Sequence, residues 1–487
     1  MVFVQYGIEI LGYGLVSILF VVNIIFAVSV VFVERKKPST ALLWVAVLLF
    51  LPIFGFLLYL VFGQTIYKER IFRLKEEDDR IAKEAIAEQE EKLENIHIPA
   101  EDKGGDYLNM IAMLLKNDPA VLSNDNEVEI FTNGNAKFDA LLDAIDHAED
   151  YIHLEYYIIR NDTLSRQIVT ALARKAREGV TVRVLGDAVG CHGLPKDFFR
   201  ELTEAGGEVA WFFRSKYLHI NMRVNYRNHR KIAVIDGKTG FIGGFNIGDE
   251  YLGRGPLGNW RDTHLKITGT AVHSLQVRFF MDWNYAAGAD LGFEERYFPV
   301  FEEREGMLVQ IVSSGPDSRG EAIKKGYLNL IGNARESVWI QTPYFIPDES
   351  IMDALKIAAE SGVDVRIMFP CKPDHPFVYW AGFSYLWELM ESGVRVYTYD
   401  NGFIHAKTVV VDGFAASVGS ANWDIRSFSL NFEANAFLYK GDVPPALKKI
   451  FADDIAFCTE VTLDMYGARN FTVRFKESLS RLFSGLL

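Results

Sequence analysis

HRKIAVID occupies His229–Asp236, and HAKTVVVD occupies His405–Asp412. One chain thus writes His-x-Lys-x-x-x-x-Asp twice. Each copy runs through apolar residues into a small-residue turn that ends in asparagine, Gly243–Asn246 (GGFN) and Gly419–Asn422 (GSAN). The surroundings repeat as well. Asp150–Ile159 (DYIHLEYYII) has the β-branched and aromatic content of a buried strand. A helical stretch over Thr163–Glu178 follows, stopped by Gly179, and then the strand VTVRVLGDA. In the second half Ser337–Ile346 (SVWIQTPYFI) precedes a helix over Asp348–Ser361, then Gly362 and the strand VDVRIMFP. Each half next offers a helix, a strand (GEVAWFF or GVRVYTYD) and its own His-Lys-Asp stretch. Strands alternating with helices predict sheets covered by helices. The expected architecture is α/β: two tandem copies of one domain, over 123–305 and 306–487, each a mostly mixed or parallel sheet flanked by helices.

The 487 residues leave room before that pair, and the text there is different. Ile8–Val33 is almost unbroken apolar, and after ERKKPST a second run extends from Ala41 to Phe62. A bilayer is crossed by about 20 apolar residues, so either run is long enough. No basic region precedes the first run and a second follows it, which argues against a cleaved signal. Residues 1–67 are therefore expected to be a helical membrane anchor. Pro52, Gly55 and Gly63 would permit the second run to bend or re-enter rather than span. Residues 68–122 are dense in charge and predict an exposed helical connector.

Net charge is −13, from 51 basic and 64 acidic residues, which disfavours a nucleic-acid partner. It does not disfavour an anionic lipid, because a few placed cations act locally. Cys191, Cys371 and Cys458 lie far apart with no paired spacing. That suits a reducing compartment and offers no metal cluster.

Residues two apart on a strand share a face. His229 therefore points with Lys231, and His405 with Lys407, while Arg230 and Ala406 face oppositely. Imidazole beside a fixed cation suits a phosphate ester: lysine neutralises the oxygens and the ring does chemistry near neutral pH. One histidine cannot both attack phosphorus and protonate the departing alcohol from the far side. Two facing copies supply both roles. Asn246 and Asn422 could bring amide donors to the same oxygens.

At these residues the chain resembles the phospholipase D superfamily. Longer stretches, among them HLEYYIIRND, NHRKIAVIDG, NWRDTH, QTPYFIPD and GFIHAKTVVVDGFAASVGSANWDIRSFSLNFE, resemble the bacterial cardiolipin synthases over nearly the whole chain. The resemblance implies a phosphatidyltransferase. A histidine attacks one phosphatidylglycerol at phosphorus, releasing glycerol. A second phosphatidylglycerol then takes the phosphatidyl group from the histidine, giving cardiolipin. No cofactor and no metal is implied; the two lysines fill the electrostatic role. The superfamily favours His229 as nucleophile, leaving His405 as acid and base. It also implies a bacterial cell membrane location, with the catalytic part expected on the cytoplasmic side; the motifs leave the oligomeric state open.

A catalytic imidazole needs a carboxylate on its other nitrogen. Asp236 and Asp412 complete the motifs but end the apolar strands, so their part in the catalytic set is expected to be mainly structural. Asp262 in NWRDTH is the candidate for orienting the first histidine, and Glu433 in LNFEAN for the second. His264, Glu155, Asp187 and Tyr344 are candidates for the pocket. The aromatic stretches Ala210–Ile220 and His375–Met390 could line a lipid entrance or touch the bilayer. Rival readings are a hydrolytic phospholipase D, a transfer to another alcohol such as serine, a nuclease of the superfamily, or an inactive lipid-binding scaffold. The anchor and the charge oppose the nuclease, and two intact motifs oppose the scaffold.

Overall fold

The computed structural model describes residues 2–33, 38–59, 105–118, 120–213, 226–292, 294–302, 304–316, 320–482 and 484. The chain forms two units. The basic clusters Arg35–Lys37 and Lys68–Lys75, and the charged connector as far as residue 104, lie outside the described residues.

The first unit holds three apolar helices, Val2–Phe32, Pro38–Phe50 and Pro52–Leu58. The second hydrophobic run is therefore not one helix. Leu51 takes φ −126° and ψ 66°, leaving the helical region just before Pro52 opens the next helix. Proline disfavours the helical conformation in the residue before it and removes a backbone donor. Gly55 lets the two pieces fold together: a Cβ there would lie 2.3 Å from the Val47 carbonyl oxygen. Ala27, Val30, Trp44, Leu48 and Tyr59 form the buried seam among the three helices. At 1.5 Å per residue the first helix runs about 46 Å, the other two about 20 and 10 Å. Side chains of that first helix are described from Ser17 onward, and among the described residues no helix is long and apolar enough to cross a membrane.

Among its described residues the second unit holds 20 strands; 16 form one sheet, while Trp260–Arg261 pairs with Phe403–Ile404 and Phe345–Ile346 with Trp423–Asp424 as two separate two-stranded sheets. Its first half contributes β1 (Leu122–Phe131), β2 (Tyr151–Tyr156), β3 (Thr181–Asp187), β4 (Glu208–Phe212), β5 (Arg227–Asn228), β6 (Lys231–Ile235) and β7 (Thr239–Gly243). The short β8 (Trp260–Arg261) and then β9 (His264–Thr268) complete it. The second half contributes β10 (Met307–Ser314), β11 (Ser337–Gln341), β12 (Phe345–Ile346), β13 (Asp364–Pro370), β14 (Arg395–Tyr399), β15 (Phe403–Ile404) and β16 (Thr408–Val411). It ends with β17 (Ala415–Gly419), β18 (Trp423–Asp424), β19 (Asn431–Tyr439) and β20 (Cys458–Val461). Outward from the middle the order is β1-β9-β7-β6-β2-β3-β4 on one side and β10-β19-β17-β16-β11-β13-β14-β20 on the other. The outer strands β2, β3, β4 and β11, β13, β14 run parallel, joined by crossover helices. The inner strands form antiparallel hairpins. The repeat expected from the sequence is thus present in the main strands, β2, β3, β4, β6, β7 and β9 matching β11, β13, β14, β16, β17 and β19, while β20 extends the second half alone. The halves do not keep separate sheets, however: β1 and β10 pair antiparallel at the centre, so neither leaves its inner edge unpaired.

Local chemistry explains why the crossover helices match. Asp162 caps the helix Thr163–Arg177 by accepting from the Ser165 N–H at 3.1 Å, and Asp348 caps Glu349–Glu360 through the Ile351 N–H at 3.3 Å. Gly179 (φ 97°) and Gly362 (φ 94°) end them in the left-handed region that glycine enters freely. The helix Gly105–Asn117 departs from the sequence order. It precedes the first half, yet it buries Tyr107, Met110, Ile111 and Leu114 in the second half's core against Tyr327, Leu330 and Phe437. The Gln310 amide ties it down by donating to the carbonyls of Ile111 and Ala120 at 3.1 and 2.7 Å.

Candidate active site

Both histidines sit one residue beyond a two-residue strand that pairs with the other half. β5 runs parallel to the start of β19, with Asn228 opposite Phe432, and the His229 N–H donates to the Phe432 carbonyl at 2.9 Å. β15 runs parallel to β8, with Ile404 opposite Arg261, and the His405 N–H donates to the Arg261 carbonyl at 2.7 Å. One step further along each pairing stands a carboxylate. Nδ1 of His229 lies 3.0 Å from Oε2 of Glu433, and Nδ1 of His405 lies 2.6 Å from Oδ2 of Asp262.

The carboxylates expected from the sequence are therefore the ones in place, but crossed. Asp262 serves the second-half histidine, and Glu433 the first-half one. The two-residue strands cause the exchange, since each passes its histidine across to the partner half's carboxylate. With Nδ1 held in each ring, Nε2 is the nitrogen left for chemistry.

The lysines share that interior. Lys231 Nζ donates to its own motif's His229 carbonyl, and Lys407 Nζ to the His405 carbonyl, both at 2.5 Å. Both are fully buried. Burial pulls Lys231 down to about 7, against the pull of Glu433 and with Lys407 adding to the drop; burial also pulls Lys407 down to about 8, against the pull of Asp262 and Glu433. His405 is lowered to about 4 by burial and by Lys407, against the opposing pull of Asp262. His229 is lowered in the same direction, burial outweighing Glu433. Burial pushes Glu433 up, yet His229, Lys231 and Ser420 together hold it below the usual carboxylate range. Each histidine also feels the other half's lysine, so the four groups share one field.

Other candidates are placed less directly. Asp236 accepts from the N–H groups of Glu149, Asp150 and Tyr151 at 2.8–2.9 Å, and Asp412 from those of Arg335, Glu336 and Ser337 at 2.7–2.9 Å. These bonds hold both in the left-handed region, φ 53° and 55°, at the end of the strand away from the histidine. They anchor the entry to β2 and β11 and do not join the cluster. Asn246 is not a free donor: its Nδ2 donates to the Tyr251 hydroxyl at 2.9 Å, and its Oδ1 accepts from the Ile158 N–H at 3.1 Å. Asn422 keeps a buried amide oxygen with no hydrogen-bond partner. Both ring nitrogens of His264 are buried without a partner, and Lys137 and Lys231 join burial in lowering its pKa. Asp187 is spent on the N–H groups of Val189, Gly190 and Asn228, each at 2.9 Å. The Tyr344 hydroxyl donates to Asp374. Of the aromatic stretches, residues 214–220 lie outside the described residues, and His375–Met390 enters the helix Pro376–Glu391.

Behind the strands sits a second polar layer. Arg230 pairs with Asp282, and the Asn228 amide donates to Glu155 at 2.6 Å. Burial, then the Asp282 carboxylate, pushes Glu155 well above the usual carboxylate range. In the other half Arg261 pairs with Asp454 at 2.8 Å, and the residue beside them is Gln341, whose amide donates to Asp454 at 2.8 Å. Register makes Glu155 and Gln341 equivalent: one faces Ile232 after Lys231, the other Thr408 after Lys407. A glutamate on one side thus matches a glutamine on the other.

Sequence reasoning missed Ser420, whose Oγ donates to Glu433 at 2.5 Å and whose carbonyl lies 3.1 Å from His229 Nδ1. It also missed Tyr157 and Trp260, whose rings lie 4.8 and 5.3 Å from those of His229 and His405. Ser420 lies inside the repeated turn, where GSAN replaces GGFN, so a residue-by-residue comparison of the two turns would have pointed to it.

The family model described as "Cardiolipin synthase, PLD-like domain" matches residues 141–282 and again 327–455. A second, "Phospholipase D-nuclease N-terminal", matches residues 21–64. A cardiolipin synthase of Listeria innocua is 49% identical over 476 residues, covering 97% of this chain and 99% of the relative. The chain belongs to the cardiolipin synthases. The major cardiolipin synthase of Bacillus subtilis is 48% identical, again over 97% of this chain and 99% of that one. A cardiolipin synthase of Staphylococcus aureus is 48% identical over 96% and 95%. Among solved structures, the phosphatidylserine synthase of Haemophilus influenzae superposes with a TM-score of 0.59 at 15% identity, covering 79% of this chain and 97% of that one, which shows a shared fold. The tandem repeat on a common sheet is thus the phospholipase D-like fold as cardiolipin synthases carry it.

Proposed function

We propose that the chain makes cardiolipin from two phosphatidylglycerols, with His229 as nucleophile and His405 as acid and base. Membership of the cardiolipin synthases makes it a phosphatidyltransferase. The observation that supports the two-histidine reading is the crossed pairing of each imidazole with the other half's carboxylate. In the first step Nε2 of His229 forms the bond to phosphorus, and the bond from phosphorus to the glycerol oxygen breaks. His405 gives that oxygen its proton, and glycerol leaves. In the second step the terminal hydroxyl of another phosphatidylglycerol gives its proton to His405. Its oxygen bonds to phosphorus as the bond to His229 breaks, so cardiolipin forms and both rings return to their starting states.

The depressed pKa values support these roles. A neutral His229 is ready to attack. His405 is neutral in the empty site; an anionic phosphodiester beside it offsets the lysine charges and raises its proton affinity, so the ring takes a proton from water as the lipid binds and holds it for the departing glycerol. Lys231 and Lys407 neutralise the non-bridging oxygens as charge builds on them. The chain is read as membrane-associated through its apolar first unit, with the catalytic unit and both basic clusters on the cytoplasmic side. The break at Leu51 supports a second apolar run that bends rather than spans.

Purified protein given phosphatidylglycerol alone should form cardiolipin and free glycerol in equal amounts. Phosphatidic acid as the main product would instead show a hydrolase.

A further inference from the structure

The helix Phe471–Leu482 is packed inside out. The residues it turns to the protein are polar: Glu477 and Ser480 are buried, as is Ser484 just beyond its end. Arg469 holds Glu477, and the Tyr385 and Ser484 hydroxyls meet at 2.8 Å. Arg481 donates to the Ser384 carbonyl at 3.2 Å and to Glu388 at 2.5 Å. These contacts dock it on the aromatic helix Pro376–Glu391. Apart from the half-buried Val473, its apolar residues face the other way. Phe471, Phe475, Leu479 and Leu482 are 82, 56, 38 and 76% exposed. Their spacing of four, four and three residues makes one stripe, roughly 170° around the helix from the buried side at 100° per residue. Leu463 and Met465 on the preceding short helix, and Phe377 on the docking helix, add 43, 50 and 49% exposed apolar side chains.

A helix at a water-facing surface buries its apolar stripe, because burial of that area drives packing. The reverse arrangement is stable where the outer medium is itself apolar. Charge names the medium. Arg474 and Arg481 flank the stripe on one side and Lys476 on the other, with the Lys476 ammonium 5.4 Å from the Trp380 ring. Cations beside an apolar stripe, in a chain of net charge −13, fit an anionic lipid surface. We infer that Phe471–Leu482 lies in the headgroup region of an anionic bilayer, with its Phe471, Phe475, Leu479 and Leu482 stripe among the acyl chains, as a second membrane contact of the catalytic unit. The importance of this contact for catalysis rests on the proposed lipid substrate; the contact itself does not.

The test uses the full chain in phosphatidylglycerol vesicles, with Cys371 and Cys458 replaced by serine and one fluorescent cysteine at position 475, 482 or 476. Probes at 475 and 482 should be quenched by brominated lipid and shielded from iodide, while a probe at 476 stays open to iodide. Equal iodide access at all three overturns the inference. So does bismaleimide cross-linking of position 475 between chains in detergent, which would make a second copy the occupant. Activity gives an independent reading through the Phe471→Asp, Phe475→Asp double variant. The ratio of its rate on vesicles to its rate on detergent-dispersed phosphatidylglycerol should fall at least tenfold below the parent's, and any general loss of folded enzyme cancels in that ratio. An unchanged ratio overturns the inference. A parent chain that makes no cardiolipin in either dispersion defeats the proposed function, while the quenching still decides where the helix lies.

Discussion

Around His229 the carboxylate is Glu433, supported by the Ser420 hydroxyl at 2.5 Å; around His405 it is Asp262, which accepts from the Thr263 N–H at 2.7 Å. The position matching Ser420 is Gly244, and there a Cβ would lie 2.0 Å from Asp262 Oδ1. The longer acid therefore comes with a serine and the shorter one with a glycine, so neither residue of a pair can be exchanged alone. Behind them, Arg230 with Glu155 answers Arg261 with Gln341. The duplication kept the reacting pair, histidine and lysine, and rebuilt what holds it. Two rings doing different work need different proton affinities, and that support is where the two sites differ.

The sharpest way to break the comparison is to remove each histidine. His229→Ala should lose steady turnover by at least ~10⁴-fold, and His405→Ala by about 10²–10⁴-fold. A phosphatidyl ester of nitrophenol needs no acid for departure. With it, His405→Ala should still accumulate a phosphatidyl adduct on His229, seen by mass spectrometry. An adduct found on His405 of His229→Ala would reverse the roles.

The crossed carboxylates come next, at about 10²–10³-fold each. Glu433→Gln should slow adduct formation from the nitrophenyl lipid, while Asp262→Asn should leave that step nearly intact and slow release to the acceptor. The opposite pattern would show that each carboxylate serves the histidine of its own half.

Lys231→Met and Lys407→Met should each lower turnover by at least ~100-fold. Lysine works only when charged, and these two lose their protons near 7 and 8 instead of 10.5. The parent's kcat/KM should therefore fall as pH rises through about 7 to 8. The folded state binds fewer protons here than the unfolded chain does, so the lysines' contribution to stability grows as pH rises from about 7 toward 10.5. Activity and the lysine contribution to stability should thus move in opposite directions, read by a pH–rate profile beside thermal melts. A rate that stays level to pH 10 would refute the assignment.

Ser420→Ala is the mildest change. One hydrogen bond to a charged acceptor is worth about 1.5–3 kcal/mol, so a loss of roughly 10- to 100-fold is expected, confined to the His229 step. Equal slowing of both steps would mean that the serine supports the fold rather than Glu433.

Much of this protein is determined locally. The duplicated motif, the two-residue spacing from each histidine to its lysine, and the aspartate caps and glycine stops of the crossover helices depend on neighbours a few residues apart. The helices Thr163–Arg177 and Glu349–Glu360 accordingly end within a residue of where the sequence places them. Even Asp262 and Glu433 could be named as carboxylates in search of an imidazole. Their partners could not. β5, β8 and β15 are two residues long, too short for any periodicity, and they pair with segments more than 140 residues away. The helix Gly105–Asn117 is likewise amphipathic in sequence but silent about which half it covers. The joining of β1 to β10 depends on which sheet edges were left open once both halves had formed. Contacts between distant segments obey packing and edge pairing rather than local pattern, and only the folded chain decides them.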